Sequence, residues 1–375
     1  MIRNYITFFI LFYFLFYGLR LFSQNEINKD SLLNIVNINK ENIETTDALN
    51  HLAKYYFNRN IDSAILFSKK ALLLSQKLSY KQGIADSYRN TGRAFTISGN
   101  YKKSFDFFYK ALEINEAMND SLSIGKDYSN IGIVHYYQRD LDKSLIFLKK
   151  SLAIYKAKNY EIGLARVYNN IGLVYSDLGK SDSAEMCFNK TIEFAQKTNN
   201  LQIETSALGN VARIFMIKKD FNKAIEILLK IPDKAKEINN NSILSVIYAN
   251  IATAYLSLSK ERRNISKKNK YLNYALKYNI SALNNAEKLN SNSLRAYAYQ
   301  GLTQVYKTKK DYKNAFENLE KYTVINDSIF NQEKSEAIVN IEAKYENEKK
   351  QLVIKNLQKE KQADFVIIQK RIQLF

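Results

Sequence analysis

The chain has 375 residues and a formal charge of +19 at pH 7, with one Pro, eleven Gly, one Cys, two His and no Trp. A single cysteine excludes an intrachain disulfide, and the scarcity of Pro, Gly and alternating apolar runs points away from sheets and toward an all-α class. The charge would suit nucleic acid or an anionic membrane, but the lysines are scattered over the whole chain and accompany an excess of Asn, Ile, Tyr and Phe, the composition of AT-rich coding rather than of a basic patch.

In chain order, residues 1–23 come first. Arg3 precedes a mostly apolar run from Tyr5 to Leu19, the pattern of a secretory signal and short of the ~20 apolar residues of a spanning helix. Cleavage after Ser23 is expected, with an uncleaved anchor as the alternative; either way the rest is exported. No second hydrophobic segment of spanning length is expected downstream. Residues 24–44 are read as an N-terminal capping helix.

From 45 to 325 the sequence repeats with a period of forty. Tyr88, Tyr128, Tyr168, Leu208 and Tyr248 fall in one column, Gly92, Gly132, Gly172, Ala212 and Ala252 in a second, and Phe95, His135, Tyr175, Phe215 and Tyr255 in a third. The frame extends up to Ala48, Leu52 and Tyr55, and down to Tyr299, Leu302 and Tyr306 once eleven inserted residues near 260–270, "KERRNISKKNK", are allowed. Seven repeats result, each predicted to be two amphipathic helices. Asn60, Asn100, Asp140, Asp220 and Asp311 stand where a side-chain oxygen caps the second helix. Gly99 and Gly179 suit a left-handed turn, as do the asparagines of "MND", "KTNN" and "INNN". Ala64, Ser104, Ser144, Ala184, Ala224, Ala275 and Ala315 are small residues facing inward, and Pro232 should break the second helix of the fifth repeat.

The segment "YRNTGRAFTISGNYKKSFDFFYKAL" resembles a tetratricopeptide repeat, in the longer-helix branch that includes kinesin light chains and bacterial regulators. The resemblance covers about three quarters of the chain. It implies a right-handed α-solenoid of about seven helix hairpins, with first helices lining a concave groove, followed by a long C-terminal helix.

One column is more constant than its neighbours: Asn50, Asn90, Asn130, Asn170, Asn210 and Asn250, then Gly301. On a helical wheel whose buried face is Tyr168, Ile171, Gly172 and Tyr175, Asn170 lies on the opposite side, beside Arg166 and Leu173. Two roles fit. The amides either line the groove and bind the main chain of a peptide, or hydrogen-bond between helices as a ladder that sets the superhelix. Arg93, Ile133, Leu173 and Arg213 are further groove candidates, with Tyr136 and Tyr137 near the helix ends; Thr253, Ser176 and Asp177 share those positions.

Nothing assembles a catalytic or metal site, and no cofactor is expected. His51 and His135 fall in columns of Ile, Tyr or Phe and read as core residues; Cys187 reads as a buried small hydrophobe. No nucleic-acid-reading motif is present. The basic insertion reads as a solvated loop, or one that touches lipid headgroups or an acidic partner.

Residues 326–375 read as one charged helix, with Ile338, Ile341, Tyr345 and Leu352 at heptad-like spacing: a short coiled coil, a homodimer contact or a cap. Together with "DSLLNIVNINKENIETTDALNHLAKYY", this tail resembles the periplasmic portion of Bacteroidetes-type receptors, in which a membrane span and a histidine kinase or helix-turn-helix regulator follow. The chain ends at "FVIIQKRIQLF", where the span would begin, so either a partial receptor or a free-standing protein is expected. The sequence reading is therefore an exported, periplasmic, non-enzymatic module that binds a protein or peptide, the sensing part of a signalling receptor. The alternative is a structural scaffold whose asparagines only stabilise the superhelix.

Overall fold

A computed structural model describes residues 29–328 other than 39, 58, 262 and 263. The proposed leader and nearly all of the C-terminal helix lie outside the described residues. Every described element is a helix. α1 (Lys29–Asn37) packs on α2 (Ile43–Tyr56), which forms the first hairpin with α3 (Ile61–Lys77). Then come α4 (Lys81–Ile97) with α5 (Tyr101–Ala117), α6 (Ser121–Tyr137) with α7 (Leu141–Ala157), and α8 (Glu161–Asp177) with α9 (Ser181–Lys197). α10 (Leu201–Ile217) pairs with α11 (Phe221–Leu228) and α12 (Ile231–Glu237), α13 (Asn241–Glu261) with α14 (Ile265–Lys288), and α15 (Asn292–Lys309) with α16 over 312–328.

The turns follow from their side chains. Asn60, Asn100, Asp140, Asp220 and Asp311 each accept a hydrogen bond from the backbone N–H three residues on, at 2.8–3.3 Å. Gly99 and Gly179 adopt φ of +74° and +72°, and Asn119, Asn199 and Asn239 take the left-handed conformation between second and next first helices. Pro232 divides the fifth second helix, sitting in the first turn of α12 where its missing N–H costs nothing.

Within a hairpin, the first helix comes close to the second at the glycine column. A Cβ on Gly92 would lie 3.0 Å from the Phe108 ring, one on Gly132 2.8 Å from Leu148 Cγ, and one on Gly172 2.6 Å from Phe188 Cε1. Phe108, Leu148 and Phe188 are fully buried and recur sixteen residues after each glycine. Ala64, Ser104, Ser144, Ala184, Ala224 and Ala275 are buried without residue.

Most of the described part of the insertion is helical rather than loop. α13 has 21 residues and runs to Glu261, and α14 has 24 and starts at Ile265, where the ordinary helices have 17; Lys260, Lys267 and Lys270 are exposed. α13 is also long and apolar enough to cross a membrane, contrary to the expectation that no such segment follows the leader; two thirds of its apolar window is buried against neighbouring helices, as befits a core helix.

His135 packs between Phe105, at 4.7 Å between ring centroids, and Phe147, at 5.4 Å and nearly parallel. Burial lowers its pKa, opposed by Asp140 and reinforced by Lys143. The fold thus holds the imidazole neutral, and this stabilisation is complete above the ordinary imidazole range and lost as pH falls through the lowered value. His135→Phe, the residue type of its column, should therefore raise Tm over the parent by a margin that grows between about pH 8 and about pH 5, read by circular dichroism. His51 differs from its expectation: it is exposed, because the first hairpin has only the short α1 before it.

Candidate functional site

First helices of successive repeats touch each other directly, α2 with α4, α4 with α6, α6 with α8, α8 with α10 and α10 with α13, whereas second helices meet the intervening first helices instead. First helices therefore sit on the narrow side of the curve and form its inner face. Each is covered twice, by its own second helix and by the first helices before and after it.

This double covering decides the asparagine column. Asn90 is 1% exposed, Asn170 4% and Asn210 7%; Asn50 and Asn250 are also buried, and Asn130 alone is half-buried. The Asn90 amide donates to Asn50 Oδ1 at 2.9 Å and to the Asn50 carbonyl at 3.2 Å. Asn50 in turn donates to the Gly83 carbonyl at 3.4 Å, Asn170 to Ser129 Oγ at 3.5 Å, and Asn210 to Asn169 Oδ1 at 2.9 Å. Tyr297 donates its hydroxyl to Asn250 Oδ1 at 3.3 Å. Of the two roles, the structure supports the inter-repeat ladder. The helical wheel considered one hairpin alone, so it took the side facing the preceding repeat for open groove.

The same correction applies to Leu173, Tyr136 and Arg213, which are 3%, 5% and 4% exposed. Arg213 donates from Nη2 to Ser176 Oγ at 3.0 Å; burial depresses its pKa against the pull of Tyr136 and Asp177. Arg139 Nη1 donates to Asp177 Oδ2 at 2.8 Å, tying the third repeat to the fourth. Burial and the Asp177 carboxylate raise the Tyr136 phenol far above its ordinary value. Arg93, Ile133 and Tyr137 remain partly open on the inner face, as Asn130 does. The Arg93 guanidinium lies over the Phe57 ring, 4.4 Å from its centroid.

Two features escape column reading. Arg89 and Asp127, both buried, form an ion pair between α4 and α6, with Nε to Oδ1 at 2.7 Å. Arg89 also meets Asp86, and Asn115 donates to Asp127 Oδ2 at 2.5 Å. Burial opposes the Arg89 charge, but Asp127 and Asp86 outweigh it and raise its pKa. The second is the column one turn before the asparagines: Asp86, Lys126, Arg166, Ser206 and Val246, of which Lys126 and Arg166 are exposed and the others half-buried. Its variability is the signal that could have marked it, since it keeps no residue type while the asparagines do.

Cys187 is 3% exposed and burial pushes its thiol up to about 11, a core position rather than a nucleophile. Among the described residues no group of three or more His, Cys, Asp or Glu could hold a metal ion.

Residues 127–197 match the model of the tetratricopeptide repeat family. The fold is that of a tetratricopeptide repeat solenoid. Structures of such solenoids superpose on most of the chain at low identity. A Rap protein complexed with competence and sporulation factor aligns with a TM-score of 0.56 and 16% identity over 80% of this chain and 80% of its own. A signal transduction ATPase with a tetratricopeptide repeat sensor from Pyrococcus horikoshii gives 0.57 and 19%, covering 76% of this chain and 43% of that one. BtubC from P. vanneervenii gives 0.51 and 16%, covering 60% and 92%. No curated protein matches the sequence. The tetratricopeptide fold is in general one of protein–protein interaction, and relatives of this fold bind protein or peptide partners.

Proposed function

We propose that the chain is a non-enzymatic module that binds a protein or peptide on the inner face of its solenoid, and that it serves as the exported sensing part of a signalling receptor. The observation that carries the binding reading is the division of labour on the first helices. Buried asparagines fix the spacing of the repeats, while the neighbouring positions Arg93, Lys126, Asn130, Ile133, Tyr137 and Arg166 present mixed polar, apolar and charged chemistry to the same face. A peptide laid along such a face meets donors, acceptors and apolar contact already in place, so little ordering cost falls on the protein. The Rap protein, crystallised in complex with competence and sporulation factor, and the Pyrococcus ATPase with its tetratricopeptide repeat sensor share the fold. Export is supported by the charged and apolar start of the sequence, and a periplasmic location belongs to the same reading. Membrane proximity through either terminus and dimerisation through the C-terminal helix belong to the same reading.

Selection of a random peptide display library on the full chain tests the binding reading. Enriched peptides should lose about tenfold or more in affinity, ~1.4 kcal/mol, on Ile133→Asp, with Tm unchanged within a few degrees. Failure to enrich any peptide, or enriched peptides indifferent to Ile133→Asp, would contradict it. The scaffold reading draws on the asparagine ladder, and the ladder is compatible with both.

A further inference from the structure

The solenoid ends on a face built to be covered. α16, the last described helix, carries Tyr312, Phe316 and Leu319 along one side, and they are 67%, 67% and 46% exposed. Counted from the capping residue at the head of each second helix, they stand after Asp311 where Tyr101, Phe105 and Phe108 stand after Asn100, and Leu141, Leu145 and Leu148 after Asp140. In α5 those side chains reach the first helix of the next repeat. Phe105 lies 4.7 Å from His135 between ring centroids, Tyr101 stacks on Tyr137 at 6.3 Å, and Phe108 is buried in one cluster with Ile131 and Val134. Three large apolar side chains in this register are unfavourable in water unless something takes the place of that next first helix.

The sequence after α16 carries the residues for that place. A first helix packs on the repeat before it through three positions. Asp127 pairs with Arg89 and accepts from Asn115, Asn170 donates to Ser129, and Val134 is buried beside Phe108 and Leu112. Asn100 is followed by Asp127, Asn130 and Val134, Asp140 by Val167, Asn170 and Val174, and Asp220 by Ile247, Asn250 and Ala254, always at the same three distances; all are buried except the half-buried Asn130. At those distances from Asp311 stand Ile338, Ile341 and Tyr345. The side that a first helix turns to its own second helix is filled differently. There Tyr128 and His135 meet Phe147, and Gly132 makes room for Leu148. The matching residues are Val339, Glu346 and Ala343, with Glu342 at the border position of Ile131 and Lys350 beyond, so this side is small or charged, as suits a helix with no hairpin partner.

We propose that residues 332–348, which lie outside the described residues, form the first helix of an eighth half-repeat and dock on Tyr312, Phe316 and Leu319 of α16. Docking there is independent of the peptide-binding reading. It turns the stripe of Ile338, Ile341 and Tyr345 toward the solenoid instead of a second coil, and leaves the residues from Lys349 onward for dimerisation. The connection has the usual length, since α5 ends at Ala117 and α6 starts at Ser121, as α16 is described to 328 and the new helix would start at 332. A second copy of the chain suits the face less well. The segment follows α16 directly, and a tethered helix acts at an effective concentration of about millimolar, above that of a separate molecule. A docked helix also fixes the direction in which the chain leaves the array.

Hydrogen exchange of the full chain, read by mass spectrometry, is the test. In the parent, the amides of 332–348 should exchange about tenfold or more slower than in the isolated peptide of the same sequence. Phe316→Asp should return them to the peptide's rate and lower Tm by several degrees, whereas a side chain already 67% exposed would cost little if it stood open to water. Ile338→Asp/Ile341→Asp touches nothing in the described solenoid and should have the same two effects, so the outcome does not hang on the folding of Phe316→Asp. Oxidation of Phe316→Cys/Glu346→Cys, at the positions matching Phe105 and His135, should give a disulfide within one chain, with Cys187 buried away from both. Exchange of 332–348 at the peptide's rate in the parent would overturn the docking. Protection that survives Phe316→Asp would overturn it too and assign the stripe to a coiled coil. Disulfide-linked dimers in place of the intrachain bond would put a second copy on the face instead, and an unchanged Tm in both Asp variants would show the face to be open.

Discussion

Asp127→Ala is expected to destabilise the solenoid by about 3–5 kcal/mol, because it leaves the Arg89 guanidinium buried between α4 and α6 without its principal partner. Asp86 remains beside Arg89 and keeps the loss toward the lower end of that range. Asn115, fully buried on α5, loses the acceptor of its amide at the same time, which adds an unpaired donor to the unpaired charge. Urea unfolding followed by circular dichroism measures the cost. The paired replacement Arg89→Met with Asp127→Leu removes both charges together and should recover most of the loss, since an apolar pair of similar size escapes the desolvation penalty. A single mutant as stable as the parent would show that the ion pair contributes nothing to holding the second repeat on the third.

The periodic features of the fold were legible because each follows from one residue's local chemistry. Asn60, Asp140 and Asp220 cap helices through their own side chains, Gly99 and Gly179 occupy conformations with positive φ, and Pro232 lacks an N–H; none of these needs knowledge of a neighbouring repeat. The glycine column was visible too, although its reason, the approach of Phe108, Leu148 and Phe188, required the second helix in place. The failures share a cause. Asn170, Leu173 and Arg213 were placed on an open face by a wheel drawn for one hairpin, and in a solenoid the face away from the hairpin partner is where the next repeat packs. The insertion misled for another reason: a basic run reads as a loop, but Lys is a good helix former, and Lys260, Lys267, Lys268 and Lys270 lie in the lengthened α13 and α14. Lys126 stands in a column that keeps no residue type from repeat to repeat, so column reading marks it as ordinary surface, and Arg166 enters only as a neighbour of Asn170 on the wheel.

The asparagine ladder ties consecutive first helices together, and its expected effect is comparable to that of the ion pair. Each buried amide bridges consecutive first helices, and its loss removes a net contribution of ~0.5–1.5 kcal/mol per hydrogen bond while stranding the partner. In Asn90→Ala the carboxamide oxygen of Asn50 loses its 2.9 Å donor and keeps a weaker one from Ser87 at 3.2 Å. In Asn210→Ala, Asn169 Oδ1 loses its own. The sites lie in different interfaces, so their costs should add, to about 3–5 kcal/mol for the three changes together. No groove side chain is touched, and affinity for a groove-binding peptide, compared at a temperature where both proteins are folded, should change less than about twofold.

The most direct test is therefore thermal unfolding and peptide binding of Asn90→Ala/Asn170→Ala/Asn210→Ala measured side by side. The ladder predicts a Tm lower by roughly ten degrees or more with affinity kept; an unchanged Tm with binding abolished would contradict it and return the amides to the ligand.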